Sequence, residues 1–226
     1  MTRVVRSELI LGGQKSGKSR RAETLAQHWL SDGSPRSALL IATAQPFDDE
    51  MRLRIERHRQ DRLVRVPGMR TIEEPLALTE TIRARSQPNT LIVVDCLTLW
   101  LTAHLMPQDP AFVRVLTAGH AGDLSQATNS LPSMNPGFST DVQSSTNNQP
   151  SKDWQALATD LCSAIAQAHG PLVLVGNEIG LGVVPLGQEV RAFVDALGLL
   201  NQMVAATCKR VTLMTAGLPL TLKESA

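Results

Sequence analysis

The stretch Gly12-Gly13-Gln14-Lys15-Ser16-Gly17-Lys18-Ser19 limits what this chain can fold into more than any other. It fits the phosphate-loop pattern G-x-x-x-x-G-K-[ST], which works only between a buried strand and the start of a helix. Both flanks are present. Glu8-Leu9-Ile10-Leu11 is short and mostly apolar, as a buried strand is. Arg20 to Leu30 places Ala22, Leu25, Ala26 and Trp29 at helical spacing on one face. Gly12, Gly13 and Gly17 let the backbone curl so that successive N–H groups point into one concavity, and the helix start adds its positive end. Lys18 is placed to reach the outer phosphates and the Ser19 hydroxyl to bind Mg²⁺, with Lys15 as a second cation nearby. A glycine-rich turn that binds nothing has no need of Lys and Ser at this spacing. The loop predicts a bound nucleotide and leaves the reaction open.

Four further apolar runs follow: Ala38 to Thr43, Thr90 to Asp95, Leu172 to Val175 and Val211 to Ala216. Helical patterns separate them: Asp48 to Arg62, a helix from Pro75 to about Arg85, Cys96 to Met106, Asp153 onward with Trp154, Leu157, Ala158, Leu161 and Ile165 as a core stripe, and Gln188 to Thr207 with Val190, Phe193, Val194, Leu197 and Val204 inward. At least five strands alternating with helices predict a mostly parallel α/β sheet covered on both faces, and 226 residues suit one such domain. Residues 107–152 are rich in Ser, Asn, Gln, Thr, Pro and Gly without periodicity, and read as a long polar insertion.

Composition excludes several classes of function. Lys and Arg total 22 against 21 acids, which argues against a general nucleic-acid surface. No tyrosine is present to stack bases. Cys96, Cys162 and Cys208 are far apart and odd in number, so they read as buried thiols in a reducing cytoplasm rather than as a disulfide or metal framework. The charged start of the chain predicts no signal peptide, and no apolar run is long enough to span a bilayer.

Candidate site residues gather where strands end, the edge on which open α/β sheets bind ligands. Asp95 closes the run from Thr90 and is the expected partner of a phosphate loop, able to hold Mg²⁺ opposite Ser19. Thr43-Ala44-Gln45 and Asn177-Glu178 end two other runs on the same edge, the second pair at a substrate or active-site edge among glycines. His58 stands on the helix beyond Gln45, flanked by Arg57 and Arg59, with Arg54 and Arg62 four residues to either side. By spacing alone it belongs to a solvated basic helix; its place beside the phosphate site makes a functional role an equal alternative.

Taken together, several stretches resemble the bifunctional adenosylcobinamide kinase/adenosylcobinamide-phosphate guanylyltransferase family of cobalamin biosynthesis. They are Gly12 to Ser19 with Arg20 and Glu23, Ile41 to Ala44, Asp49-Glu50-Met51 with Arg54-Ile55 and His58-Arg59, Thr71 to Leu76, Asp95 to Thr102, Asn177 to Pro185, Asn201-Gln202 and Ala216 to Leu220. The resemblance spans nearly the whole chain apart from 107–152. It implies a P-loop, RecA-like fold. It also implies a two-step enzyme that phosphorylates the aminopropanol hydroxyl of adenosylcobinamide with ATP or GTP, then transfers GMP from GTP to that phosphate and releases pyrophosphate. The second step is expected to pass through a guanylylated histidine, matching His58, with Lys18 serving both steps. The nucleotide contacts it implies are Gly12 to Ser19, Thr43, Ala44, Gln45, Arg59, Gln60, Asp61, Arg62, Glu73 and Asp95. It further implies Mg²⁺, a cytoplasmic homo-oligomer (a trimer in at least one member), and no nucleic-acid or membrane partner. Two alternatives are a P-loop kinase of another small hydroxyl substrate, with His58 merely structural, and a non-catalytic nucleotide-binding module.

Overall fold

The computed structural model describes residues 4–33, 35–46, 49–105, 153–182 and 184–225; Asp48, Val183, His120 and the polar stretch 107–152 lie outside them. Seven strands form one sheet: β1 (Ser7–Gly12), β2 (Ser37–Ala42), β3 (Met69–Glu73), β4 (Thr90–Asp95), β5 (Leu172–Val175), β6 (Arg210–Thr215) and β7 (Leu218–Glu224). Their order is β3-β2-β4-β5-β1-β6-β7; all pair in parallel except β7, which runs antiparallel to β6. The described helices are α1 (Lys18–Leu30), α2 (Asp49–Arg65), α3 (Leu78–Arg85), α4 (Leu97–Leu105), α5 (Asp153–Gln167) and α6 (Gln188–Thr207).

The apolar runs are continuous because the central strands are buried on both sides. Alternate residues point to opposite faces. Leu9, Leu39, Ile41, Ile92, Val94 and Leu174 pack with α3, α4, α5 and α6 on one face. Ile10, Leu40, Val93 and Val175 pack with Ala22, Leu25 and Ala26 of α1 on the other. The phosphate-loop strand is also pinned by charge. Glu8, 1% exposed, accepts hydrogen bonds from Arg21 Nε at 2.9 Å and Thr212 Oγ1 at 2.8 Å, and pairs with Arg210 at 3.4 Å. Removing one partner from such a buried group costs about 3–5 kcal/mol.

The α/β reading holds, with two strands added. Both β3 and β7 are edge strands, exposed over much of their length. An edge strand need not be apolar throughout, and it tolerates Pro219 because one row of its backbone groups has no neighbour. Thr71 to Glu73 therefore belong to β3, and α3 begins at Leu78 rather than at Pro75. Glu74 prepares that start, its carboxylate accepting the N–H groups of Leu76 at 3.1 Å and Ala77 at 2.8 Å. Val190 does not face the core: it is 49% exposed in the first turn of α6, where Gln188 and Glu189 are exposed as well. Cys96 and Cys208 are buried, which pushes their thiols up to about 11 and about 12, so both stay protonated and unreactive at neutral pH. Cys162 is only half-buried.

Candidate active site

The parallel register brings the strand ends into one row. Asp95 pairs with Ala42 on one side and Val175 on the other, and Ala42 pairs with Glu73. The Glu178 N–H donates to the Gly12 carbonyl at 3.1 Å. In strand order the edge therefore reads Glu73, Thr43, Asp95, Asn177-Glu178, Gly12. The strand ending in Asn177-Glu178 lies between the phosphate-loop strand and the Asp95 strand. At about 4.8 Å per strand, Asp95 stands roughly 10 Å across from Gly12, a gap that a phosphate chain can bridge.

The loop itself is tightly held. A Cβ on Gly12 would come within 2.5 Å of the Met214 carbonyl and 2.6 Å of Ser16 Oγ, so nothing larger than glycine fits. Gly17 has φ 101°, the left-handed conformation glycine adopts freely, and it starts α1. Lys15 has φ 56°, rare for a residue with a side chain and common at ligand sites. The turn between β6 and β7 buttresses the loop, with the Gly217 N–H donating to the Ser16 carbonyl at 3.1 Å. Gly13 and Gln14 are exposed, and Ser19 is half-buried one residue into the helix.

Lys18 lies folded across this loop, its Nζ donating to the Gly13 carbonyl at 2.6 Å. Burial holds its pKa below the ordinary lysine range; Cys96 and Asp95 oppose that shift and the Arg54 guanidinium adds to it. Anionic phosphates would supply the countercharge that burial withholds. Thr43 has a different task. Its Oγ1 donates to the Cys96 carbonyl at 2.7 Å and accepts from the Cys96 N–H at 2.9 Å, clamping the turn that follows Asp95. Ala44 and Gln45 are half-buried beside it, and Glu73 is exposed.

The α2 helix shows how His58 relates to the loop. Arg54, His58, Arg62 and Arg65 recur at intervals of four, four and three, so they share one face. Arg54 acts electrostatically on Lys18. Burial lowers the pKa of Arg62, against the pull of Asp95 and Glu23. The residues one turn before and one turn after His58 thus feel the phosphate-loop lysine and the Asp95 carboxylate, and His58 lies between them on α2. His58 itself is exposed, as a group awaiting a ligand from solvent must be. In the run from Arg59 to Arg62, both arginines line an open groove of about 460 Å³ beside β3. Gln60 donates to Glu56 at 3.0 Å, Asp61 pairs with Arg65 at 2.9 Å, and Asp95 acts electrostatically on Arg62.

The supporting contacts behind this edge are not legible in the sequence. Asn201, which the resemblance includes, is 4% exposed inside the apolar face of α6, and its Nδ2 donates to the Asn177 carbonyl at 3.1 Å. Thr98 Oγ1 accepts the Asn177 N–H at 2.8 Å. Together they hold the strand end that carries Glu178, whose Oε1 accepts the Gly180 N–H at 2.9 Å. An asparagine in an apolar stripe is the one sequence signal of this support. The donors available to a metal, the Ser19 hydroxyl and the Asp95 carboxylate, are both oxygens, which suits Mg²⁺. Among the described residues there is no cluster of three or more His, Cys, Asp or Glu that could hold a metal alone, so phosphate oxygens would have to complete the shell. Among the described residues no helix is long and apolar enough to cross a membrane.

Comparison with known proteins identifies the family of the whole chain. A family model described as cobinamide kinase / cobinamide phosphate guanyltransferase matches residues 8–222. The bifunctional adenosylcobalamin biosynthesis protein CobP of Pseudomonas aeruginosa is 39% identical over 216 residues, 96% of each chain. The bifunctional adenosylcobalamin biosynthesis protein CobU of Escherichia coli is 32% identical over 215 residues, 95% of this chain and 98% of that protein. Its namesake in Salmonella typhimurium is 30% identical over the same coverage.

Proposed function

The chain belongs to the cobinamide kinase / cobinamide phosphate guanyltransferase family and is a kinase and guanylyltransferase of cobalamin biosynthesis; from that premise we propose that it phosphorylates adenosylcobinamide and then guanylylates the product through His58. Family membership sets aside the reading of a non-catalytic nucleotide-binding module. The observation that carries the proposal is that Arg54 and Arg62, one helical turn to either side of His58 on α2, interact electrostatically with Lys18 and Asp95 respectively.

In the kinase step the substrate hydroxyl oxygen attacks the γ-phosphorus of ATP or GTP, the bond to the β-phosphate oxygen breaks, and the nucleoside diphosphate leaves. Catalysis of this kind is mostly positioning and charge neutralisation. The loop amides and Lys18 hold the phosphates, and a Mg²⁺ ion held by Ser19 and Asp95 would neutralise charge on the β- and γ-phosphates. Glu178, on the strand edge between the phosphate loop and Asp95, would take the hydroxyl proton. Replacing it with Gln, Glu178→Gln, should lower the phosphorylation rate by about 10²–10³-fold, within the range for loss of a general base, while GMP transfer to pre-phosphorylated substrate changes little. Steady-state rates on the two substrates check this; an equal loss on both would mean that Glu178 only supports the loop.

In the transfer step a nitrogen of the His58 imidazole attacks the α-phosphorus of GTP. Pyrophosphate leaves and a phosphoramidate forms, the ring giving up its proton. The cobinamide phosphate oxygen then attacks the same phosphorus, breaking the N–P bond and restoring the histidine. Covalent capture splits one difficult transfer into two easier displacements. Arg54 and Arg62, one helical turn to either side of His58 along α2, would screen the phosphate charge as it approaches.

Incubating the chain with adenosylcobinamide, ATP, GTP and Mg²⁺ tests the activity directly. Mass spectrometry should show a phosphorylated species first and a GDP-linked species after it; turnover of nucleotide with neither product would leave a P-loop kinase of another small hydroxyl compound. This reading also takes the protein to be a cytoplasmic homo-oligomer, supported by exposed Leu218, Leu220 and Leu222 along β7 and Leu53 and Val64 on α2. Sedimentation of a single monomeric species at micromolar concentration would argue against that.

A further inference from the structure

The α2 helix has an unusual problem. None of its residues is fully buried, and Leu53, Leu63 and Val64 are 67%, 64% and 83% exposed. A helix with so little apolar anchorage is not fixed by the hydrophobic effect, yet the proposed chemistry asks it to hold one imidazole against a phosphorus atom. Something polar must set its position.

Glu23 supplies that. It lies on α1, five residues after Lys18, and is only 6% exposed. Each of its carboxylate oxygens faces a different arginine of α2. Oε2 accepts from Arg65 Nη1 at 2.9 Å, and Oε1 stands 3.8 Å from Arg62 Nε. Arg65 is braced in turn by Asp61 on its own helix at 2.9 Å. Arg62 and Arg65 are four and seven residues beyond His58, on the His58 face. A carboxylate gripping both fixes the rotation of α2 about its axis and its height above α1. Since α1 begins at the phosphate loop, the grip refers the imidazole to the phosphates through one rigid helix. A buried charge with two partners is costly to form and costly to break, which makes it a directional device rather than a source of bulk stability.

We propose that Glu23 is a positioning residue of the transfer step: through Arg62 and Arg65 it sets α2 so that His58 meets the α-phosphorus of the nucleotide held by the loop on α1. It touches no substrate. The inference rests on the covalent reading of His58, and its test separates the two.

The measurement is the first-order rate of adduct formation with α-labelled GTP, beside the phosphorylation rate, for the unsubstituted full chain, Glu23→Gln and Arg65→Gln. Glu23→Gln keeps an acceptor of the same size but removes the charge. Arg65→Gln alters the half-exposed end of the pair, leaves Arg62 opposite Glu23, and gives a second reading if the first variant folds poorly. Each should slow adduct formation by about tenfold or more, since small misplacement of reacting groups costs factors of ten to a hundred. Phosphorylation should fall by no more than about threefold, because the loop amides, Lys18, Asp95 and Glu178 that serve it stand on other elements than α2, and the double variant should lose little beyond either single one. A general structural defect would instead depress both rates together and would overturn the proposal, as would undiminished adduct formation in both variants. Absence of any adduct on the unsubstituted chain would overturn the covalent reading and the positioning role with it.

Discussion

His58→Asn should abolish GMP transfer while most of the phosphorylation remains. Asparagine is near in size and polar, so α2 keeps its shape and its grip on Glu23, but the amide cannot attack phosphorus. Loss of a nucleophile that carries a covalent intermediate removes the whole pathway rather than a share of it, and knockouts of such groups cost up to about 10⁶-fold. We therefore expect a fall of at least about 10³-fold in guanylylation and no detectable labelled protein after denaturation. Phosphorylation should stay within about fivefold of the parent, because it uses the loop, Lys18 and the strand edge. Assaying each step on its own substrate gives the comparison. Label remaining on the substituted protein would reject the assignment.

Lys18→Ala should damage both reactions. The Lys18 ammonium lies in the phosphate cradle, where burial lowers its pKa and nucleotide phosphates would oppose that shift. In the kinase step it would steady the moving γ-phosphoryl group; in the transfer step it would steady the departing pyrophosphate. Removing one such preorganised donor costs about 10²–10³-fold in turnover, and both activities should fall by that order. Separate measurements of the two rates, with nucleotide binding followed by calorimetry, test this. Full retention of either activity would show that one cradle does not serve both steps.

How much of this was readable from the residues follows physical rules. The strand, loop and helix around Gly12 to Ser19 are encoded locally, by glycine freedom, cation spacing and an apolar run. Asp95, Thr43 and Asn177-Glu178 were placed on one edge because parallel strands separated by helices all end on the same side. The two edge strands, β3 and β7, were not, because an edge strand has no need of the continuous apolar pattern that marks a central one. The work of Thr43 was hidden as well: nothing in a strand end says that its hydroxyl will bridge to a backbone 53 residues on. The Glu23 clamp joins residues 39 and 42 apart, so no local pattern contains it, although Arg62 and Arg65 already stood at helical spacing from His58. Asn201 betrayed itself as a polar residue in an apolar stripe, but only the fold names Asn177 as its partner.

The central claim is that one imidazole on α2 reaches the α-phosphorus of a nucleotide whose tail lies in the α1 loop. Mapping the site of the covalent GMP tests it most directly. The protein is incubated with α-labelled GTP and Mg²⁺, denatured without acid, digested, and its labelled peptide sequenced by mass spectrometry. The account predicts a single acid-labile GMP on His58, discharged when adenosylcobinamide phosphate is added before denaturation. A GMP on any other residue, or efficient GMP transfer with no adduct at all, would contradict it.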